Sequence, residues 1–397
     1  QDAIMLGLGK FNKIIEIDPL FAEAYSQMSL EYSDAVQFGV SGDSEEDTKQ
    51  AKFYIEKAFD LKPDSPDVRN AYGWYYYSCY RDYEKALKHY KVALSQEPGN
   101  SETHARIGFA YRRLGNEDES ISYVEKSRKL DPNHFTLFTN LYGSYLFFKK
   151  YDKIDLVKYD KDFFRIDPTN PGLYGNRAEL TWWLEGDTEL ARKIINSASA
   201  QFVDYDFYSD IGWQLDVYDG NYEPVLNHFV EQGEWIMPSQ QWVLTNYHPL
   251  SIMYWLMGDE GEQQISANKG IDMMQRELME GNLVRDSRFH SSLAYVYAFA
   301  GKKEDALREV NTAISLMPPS KDIMLSDHYT ADLAIILAIV GEHDKSLDIF
   351  DELLSGPSNY FWAKLKYHYI LHNIFKDNAR FNSIVSKDEE RYRKDVS

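Results

Sequence analysis

Prolines recur along this chain at an interval that points to a repeating fold. Pro19, Pro63, Pro98, Pro132 and Pro168 are separated by 44, 35, 34 and 36 residues. Four of the five close similar text: "IEIDP", "FDLKP", "RKLDP" and "FRIDP". Much later, "ISLMP" ends at Pro318 in the same way. A proline just past a helix end cannot continue the helix, so it enforces a turn there. Self-similarity at a fixed period has to be settled before any other question about the fold.

Between the prolines lie two helical patterns separated by a short polar break. In the segment Ser101 to Pro132, His104, Ile107, Gly108 and Tyr111 fall on one helix face at i, i+3, i+4, i+7. "LGNEDES" then supplies a Gly-containing turn and the acidic residues that a helix N-terminus favours. Ser120, Val124 and Ser127 mark the inner face of a second helix. Ser287 to Pro318 matches this plan with His290, Leu293, Ala294 and Tyr297, then "GKKED", then Ala306, Val310 and Ala313.

This pattern resembles the tetratricopeptide repeat, which places small residues where its two helices cross. The small position of the first helix reads Ser29, Gly73, Gly108, Tyr142, Ala178, Gly212, Ser251, Ala294 and Ala334. That of the second reads Ala51, Ala86, Ser120, Leu156, Ala191, Val225, Gln263, Ala306 and Ser346. Helix axes about 8–10 Å apart need small side chains at the crossing, and bulky neighbours such as Tyr32, Tyr76, Tyr111, Tyr145 and Tyr297 fill the space between hairpins. The expected fold is all-α: a superhelical solenoid of antiparallel helix hairpins, with about nine repeats plus partial terminal helices. Residues 1–378 form the solenoid, and residues 379–397 a capping segment and charged tail. Two units depart from the pattern. The fourth has Tyr142 and Leu156 at its small positions and is expected to have a longer helix pair. The unit around 244–270 has Gln263 and a long helix reaching toward Met279. "GVSGDSEEDT" reads as an inserted mobile loop.

The resemblance also implies a function. Tetratricopeptide solenoids bind protein or peptide partners on a concave surface lined by first-helix positions. Carried over residue by residue, these are Asn70, Trp74, Tyr77, Arg106, Phe109, Arg112, Arg113, Asn140, Asn176, Glu179, Trp182, Trp213 and Tyr295. Aromatic rings give contact area, and Arg and Asn grip carbonyls or carboxylates. The family's clamp for chaperone C-terminal carboxylates uses Lys and Asn at two first-helix positions. Ser26 and Leu30 stand there in the first repeat, so that clamp is not expected. The closing text "LHNIFKDNARFNSIVSK" is similar to the end of certain bacterial arrays that sit behind a nucleotide cyclase, a kinase or a DNA-binding module. A regulatory region of a larger bacterial signalling protein is therefore an alternative. A third is binding of a small ligand or carbohydrate, with pairs such as Trp182-Trp183 stacking on a sugar face.

Composition narrows the alternatives. With 43 Lys+Arg against 63 Asp+Glu, the net charge of −20 repels phosphate backbones, so nucleic acid is not an expected partner. Apolar runs such as "LAIILAIV" are too short to span a membrane. The single cysteine, Cys79, makes no internal disulfide; it reads as a small residue packed between hairpins, and its rarity fits a cytoplasmic location. No cofactor is expected, and self-association is left open. Gly7-Leu8-Gly9 lacks a third glycine, and no GxxxxGK[ST], GxSxG or HExxH occurs. His368 and His372 share an i, i+4 spacing without a third ligand, so no metal site is expected. The acidic runs "SEEDTK" and "NEDES" read as helix N-terminal turns, and "KDEERYRKD" as a solvated terminal helix or tail. The chain opens on Gln1 in text that already reads as helix, as though partway through a unit. With no catalytic constellation in view, the protein is expected to be a binding module rather than an enzyme.

Overall fold

The computed structural model describes residues 2–39, 44–166, 168–203, 205–206 and 211–396. Helix α1 (Asp2–Ile17) leads into the pairs α2–α3 (Ala22–Phe38, Ser44–Leu61), α4–α5 (Pro66–Tyr75, Tyr83–Gln96) and α6–α7 (Ser101–Arg113, Glu117–Leu130). Next come α8–α9 (Phe135–Phe147, Leu156–Ile166), α10–α11 (Pro171–Leu180, Thr188–Gln201) and α12–α13 (Trp213–Tyr218, Tyr222–Glu231). The last pairs are α14–α15 (Tyr247–Met257, Glu260–Met279), α16–α17 (Ser287–Phe299, Lys303–Leu316) and α18–α19 (Ile323–Ile339, His343–Ser355). Three helices end the chain: α20 (Trp362–Lys366), α21 (Tyr369–Phe375) and α22 (Ala379–Val396). The protein is an all-α solenoid. Among the described residues no helix is long and apolar enough to cross a membrane.

Close packing at the crossings explains the small residues. A Cβ on Gly108 would lie 2.5 Å from Val124 Cγ2 and 3.0 Å from the Ser120 carbonyl oxygen. One on Gly73 would run into the Tyr90 ring. Where serine takes the position, its hydroxyl bonds across the hairpin: Ser29 Oγ donates to the Ala51 carbonyl at 2.9 Å, and Ser346 Oγ to that of Ala334 at 2.7 Å. Capping side chains start several helices. Asn100 accepts from the Thr103 amide at 2.9 Å and Asp187 from that of Leu190 at 2.7 Å.

The irregular units differ from expectation in instructive ways. The fourth pair is short, not long: α8 has 13 residues and α9 has 11. The chain breaks at Lys149, which takes a left-handed φ of 55°, and buries Tyr151 in a 3₁₀ turn. Tyr142 spaces the two helices, its ring 4.9 Å from that of Tyr159. In the seventh unit, Gln263 reaches out of the hairpin to the Phe299 carbonyl at 2.7 Å. Close approach moves down α15 to Gly270, whose Cβ would stand 3.0 Å from Val296 and 3.1 Å from Tyr247. The expected inserted loop lies partly outside the described residues, at 40–43. Ser44–Thr48, assigned to it as well, are instead the first turn of α3. An antiparallel ribbon between α13 and α14 was not anticipated: β1 (Ile236–Pro238) pairs with β2 (Val243–Thr245), Met237 opposite Leu244.

The terminal segment folds back onto earlier repeats. Helix α22 buries Phe381, Ile384, Val385 and Tyr392. Asp388, at 3% exposure, accepts hydrogen bonds from the Tyr151 hydroxyl at 3.1 Å and the Trp362 amide at 2.9 Å. "KDEERYRKD" is thus solvated on one face only. The Ser358 amide donates to the Phe147 carbonyl at 2.8 Å, and the Lys149 ammonium donates to the Tyr360 carbonyl. Farther along, Asp322 is fully buried. It accepts from the Tyr83 hydroxyl at 2.5 Å and pairs with Arg113 at 3.2 Å and Arg81 at 3.6 Å. Helices α4 and α10 each widen into a π turn, at Tyr76–Tyr80 and Thr181–Glu185. These single-turn bulges supply Tyr77 and Trp182 to the seam where distant parts of the chain meet: Tyr77 accepts from Arg113, the partner of Asp322, and Trp182 lies 6.2 Å from Tyr367.

Candidate functional site

A chamber of about 830 Å³ remains in the C-terminal half of the inner wall. Four structural levels contribute to it. Trp213 and Phe229 come from the sixth hairpin, with rings 5.6 Å apart at 78°. Trp235, Met237, Trp242 and Leu244 come from the ribbon and its flanks. Tyr295 and Asp332 come from α16 and α18, and Tyr360, His368 and Tyr369 from the terminal segment. Tyr369 closes onto Trp213 at 5.7 Å. Helix hairpins put one inner side chain per turn toward the axis, and the ribbon adds large rings where a regular repeat would have only a turn.

Its polar groups are few and fixed. Asp332 is 4% exposed; its Oδ2 accepts from Ser291 Oγ at 2.5 Å and its Oδ1 from the Tyr295 hydroxyl at 2.8 Å. His328 Nε2 stands 3.5 Å from the same carboxylate, and the His328 ring lies 5.4 Å from that of Trp242. Burial holds His248 neutral, its pKa pushed down to about 4. Its Nδ1 accepts from the Thr245 amide at 3.0 Å, and its Nε2–H points to the Ser292 carbonyl at 2.9 Å. His368 is likewise pushed down to about 4, by burial and then by the nearby Lys364 ammonium. Burial and the charge of Asp332 raise the Tyr295 phenol, so it stays a donor. Two buried atoms of the lining residues, Trp242 Nε1 and His368 Nδ1, have no hydrogen-bond partner among the described residues. Among the described residues no group of three His, Cys, Asp or Glu side chains is arranged to hold a metal.

The structure divides the inner-wall residues singled out in the sequence. Trp213 and Tyr295 line the chamber. Asn70, Trp74 and Arg106 form a half-buried cluster farther toward the N-terminus. Trp74 Nε1 donates to Asp34 at 2.7 Å, its ring stacks on Tyr77 at 4.9 Å, and the Arg106 guanidinium lies over it at 5.3 Å. Asn70 bonds Thr103 at 2.8 Å. Arg112 is turned inward, with donors to Ser144 at 3.0 Å and to Asn140 Oδ1 at 2.9 Å and its guanidinium over Phe109. Burial works against the charge of Arg113, yet Tyr77 and Asp322 hold it firmly protonated. Trp182 is 1% exposed beneath Tyr367. Asn176 and Glu179 are half-buried on α10. His368 and His372 part company, the first at the chamber and the second against Tyr218 at 5.4 Å. Cys79 sits 3.8 Å from Ser33 Oγ with its thiol pushed up to about 11 by burial, which makes it a packing residue of low reactivity.

Several chamber residues escaped the sequence reading. Asp332 stands two residues before the small position Ala334, as Arg106 does before Gly108. Carrying that offset through the last three repeats gives Pro249, Ser292 and Asp332, all of which line the space. Trp235 and Trp242 fall outside the repeat template, and nothing in its spacing marks them.

Comparison with known proteins finds one matched repeat and distant structural likenesses. The tetratricopeptide repeat family matches residues 101–134. Anaphase-promoting complex subunit 6 of Dictyostelium discoideum is 38% identical over 61 residues, which is 15% of this chain and 7% of that protein. The chain therefore spans a small part of the curated relative it matches. Among solved structures, PilF of Pseudomonas aeruginosa shares 19% identity over 53% of this chain and 96% of its own, with a TM-score of 0.35. A tetratricopeptide repeat protein from Parabacteroides merdae shares 13% identity over 79% of this chain and 98% of its own, with a TM-score of 0.38.

Proposed function

Because this chain is a tetratricopeptide-repeat protein, we propose that it acts without catalysis of its own, as an interaction scaffold that seats a segment of a partner protein in the C-terminal chamber. One observation carries this reading. Along the fourth and fifth repeats the protein's own segment around 358–367 packs on the inner wall, whereas between Trp213 and Asp332 the wall leaves a half-open hollow. About 830 Å³ falls inside the ~300–1,000 Å³ of typical ligand sites. It suits one or two side chains of an inserted segment. Rings held by neighbouring hairpins lose little freedom on binding, which favours affinity.

Peptide selection from a random library tests the reading. Selected peptides are expected to bind the wild-type protein and to bind Leu244→Trp, which fills the chamber, about tenfold or more weakly. Peptides that bind both proteins equally would place the docking surface elsewhere. The aromatic enclosure by Trp213, Trp235 and Trp242 also favours a second reading, a carbohydrate stacked on those rings. A thermal-shift screen with sugars that leaves the melting temperature unmoved would remove it.

A further inference from the structure

Among the described residues four aspartates are buried; two of them, Asp327 and Asp332, pair with no lysine or arginine, and Asp332 is the one that lines the chamber. Asp322 faces Arg113 and Arg81, and Asp388 faces Arg391. Asp332 meets two hydroxyls and, at 3.5 Å, one imidazole. Among the described residues no lysine or arginine nitrogen comes within 4.0 Å of it. A carboxylate offers about four acceptor positions, of which Ser291 and Tyr295 take two. Removing such a group from water without a countercharge is costly, so a cation delivered to it gains what the fold leaves unmet.

The surroundings favour the same ligand chemistry. Trp213, Trp242, Tyr360 and Tyr369 present aromatic surface to the chamber that Asp332 lines. Aromatic faces attract ammonium and guanidinium groups, most strongly where water is excluded. Burial holds His248 and His368 neutral, whereas the Lys364 ammonium already lies 5.9 Å from the Tyr360 ring centroid, so the aromatic surface left for a further cation is that of Trp213, Trp242 and Tyr369. A net charge of −20 draws basic partners at long range.

We propose that the chamber recognises a basic side chain, arginine or lysine, of the docked partner segment, with Asp332 as the anionic contact and the aromatic walls as a cage. This rests on the docking reading above and adds the chemistry of the group inserted.

Tryptophan fluorescence titration tests it, since Trp213, Trp235 and Trp242 line the space. The probes are acetyl-Gly-Gly-Xaa-Gly-Gly-amide peptides with Xaa arginine, its neutral isostere citrulline, lysine, or norleucine, together with free butylguanidinium. The expected result is that arginine or lysine peptides bind about tenfold or more tightly than their neutral counterparts, that Asp332→Asn abolishes most of this preference, and that butylguanidinium competes. Equal binding of charged and neutral probes, or no binding of any cation, overturns the proposal. The comparison of probes on the wild-type protein decides the matter even if Asp332→Asn does not fold. Docking is judged separately: library peptides that need an open chamber but tolerate citrulline in place of arginine keep the docking reading and end this one.

Discussion

The N-terminal and C-terminal stretches of the inner wall use similar repeat positions for opposite ends. Around Trp74, Arg106, Arg112 and Arg113, polar groups are turned onto other parts of the same chain: Asp34, Asn140, Ser144 and Asp322. Around Trp213, Tyr295 and Asp332, the wall stands back and a chamber is left. An arginine at an inner-face position of a repeat is therefore not by itself a ligand contact. What decides is whether the superhelix brings another repeat, or its own terminal segment, within reach.

The largest effect is expected at the seam. Asp322→Ala strips the partner from buried Arg113 and the cap from α18, and should cost ~3–5 kcal/mol in urea unfolding. Asp322→Asn keeps the cap but not the charge and should fall between. If both variants unfold like wild type, the seam is not holding the two stretches together. Packing at the crossings comes next. Gly108→Val pushes a branched side chain against Val124 and the Ser120 carbonyl, and should cost about 1–3 kcal/mol.

A third effect belongs to the chamber end. His248 has its pKa pushed down to about 4, below the ~6.5 of an unfolded histidine. The unfolded state therefore binds the proton more readily. The stability is fully present above pH ~6.5 and is lost as pH falls toward 4, by up to ~3 kcal/mol. Melting temperatures measured from pH 7 to pH 5 should fall more steeply for wild type than for His248→Gln. Parallel curves would contradict the buried neutral imidazole. The smallest effect is expected at Arg106→Ala, which loses a pairing with the exposed Glu102, a hydrogen bond to the Asn70 carbonyl at 3.2 Å and a ring contact, about 1–2 kcal/mol, and should leave peptide binding unchanged.

How much of this was legible in the text follows from what repeats encode. Spaced prolines and small residues report local hairpins, because both act within some thirty residues. Gly108 against Val124 is such a contact, and the sequence pattern predicts it. Tyr83 against Asp322 joins residues 239 apart, and no periodicity reports it. The fourth pair came out shorter than expected because Lys149 and Tyr151 end it through contacts with the terminal segment. Asp332 was within reach of the repeat offset, whereas Trp235 and Trp242 lie in an interruption that the template does not describe.

Hydrogen–deuterium exchange with and without a library-selected peptide tests the central claim most directly. Binding is expected to slow exchange in the ribbon at 236–245 and in the segment 360–370, and to leave α4 and α6 unchanged. Protection confined to α4 and α6, with none at the ribbon, would contradict it.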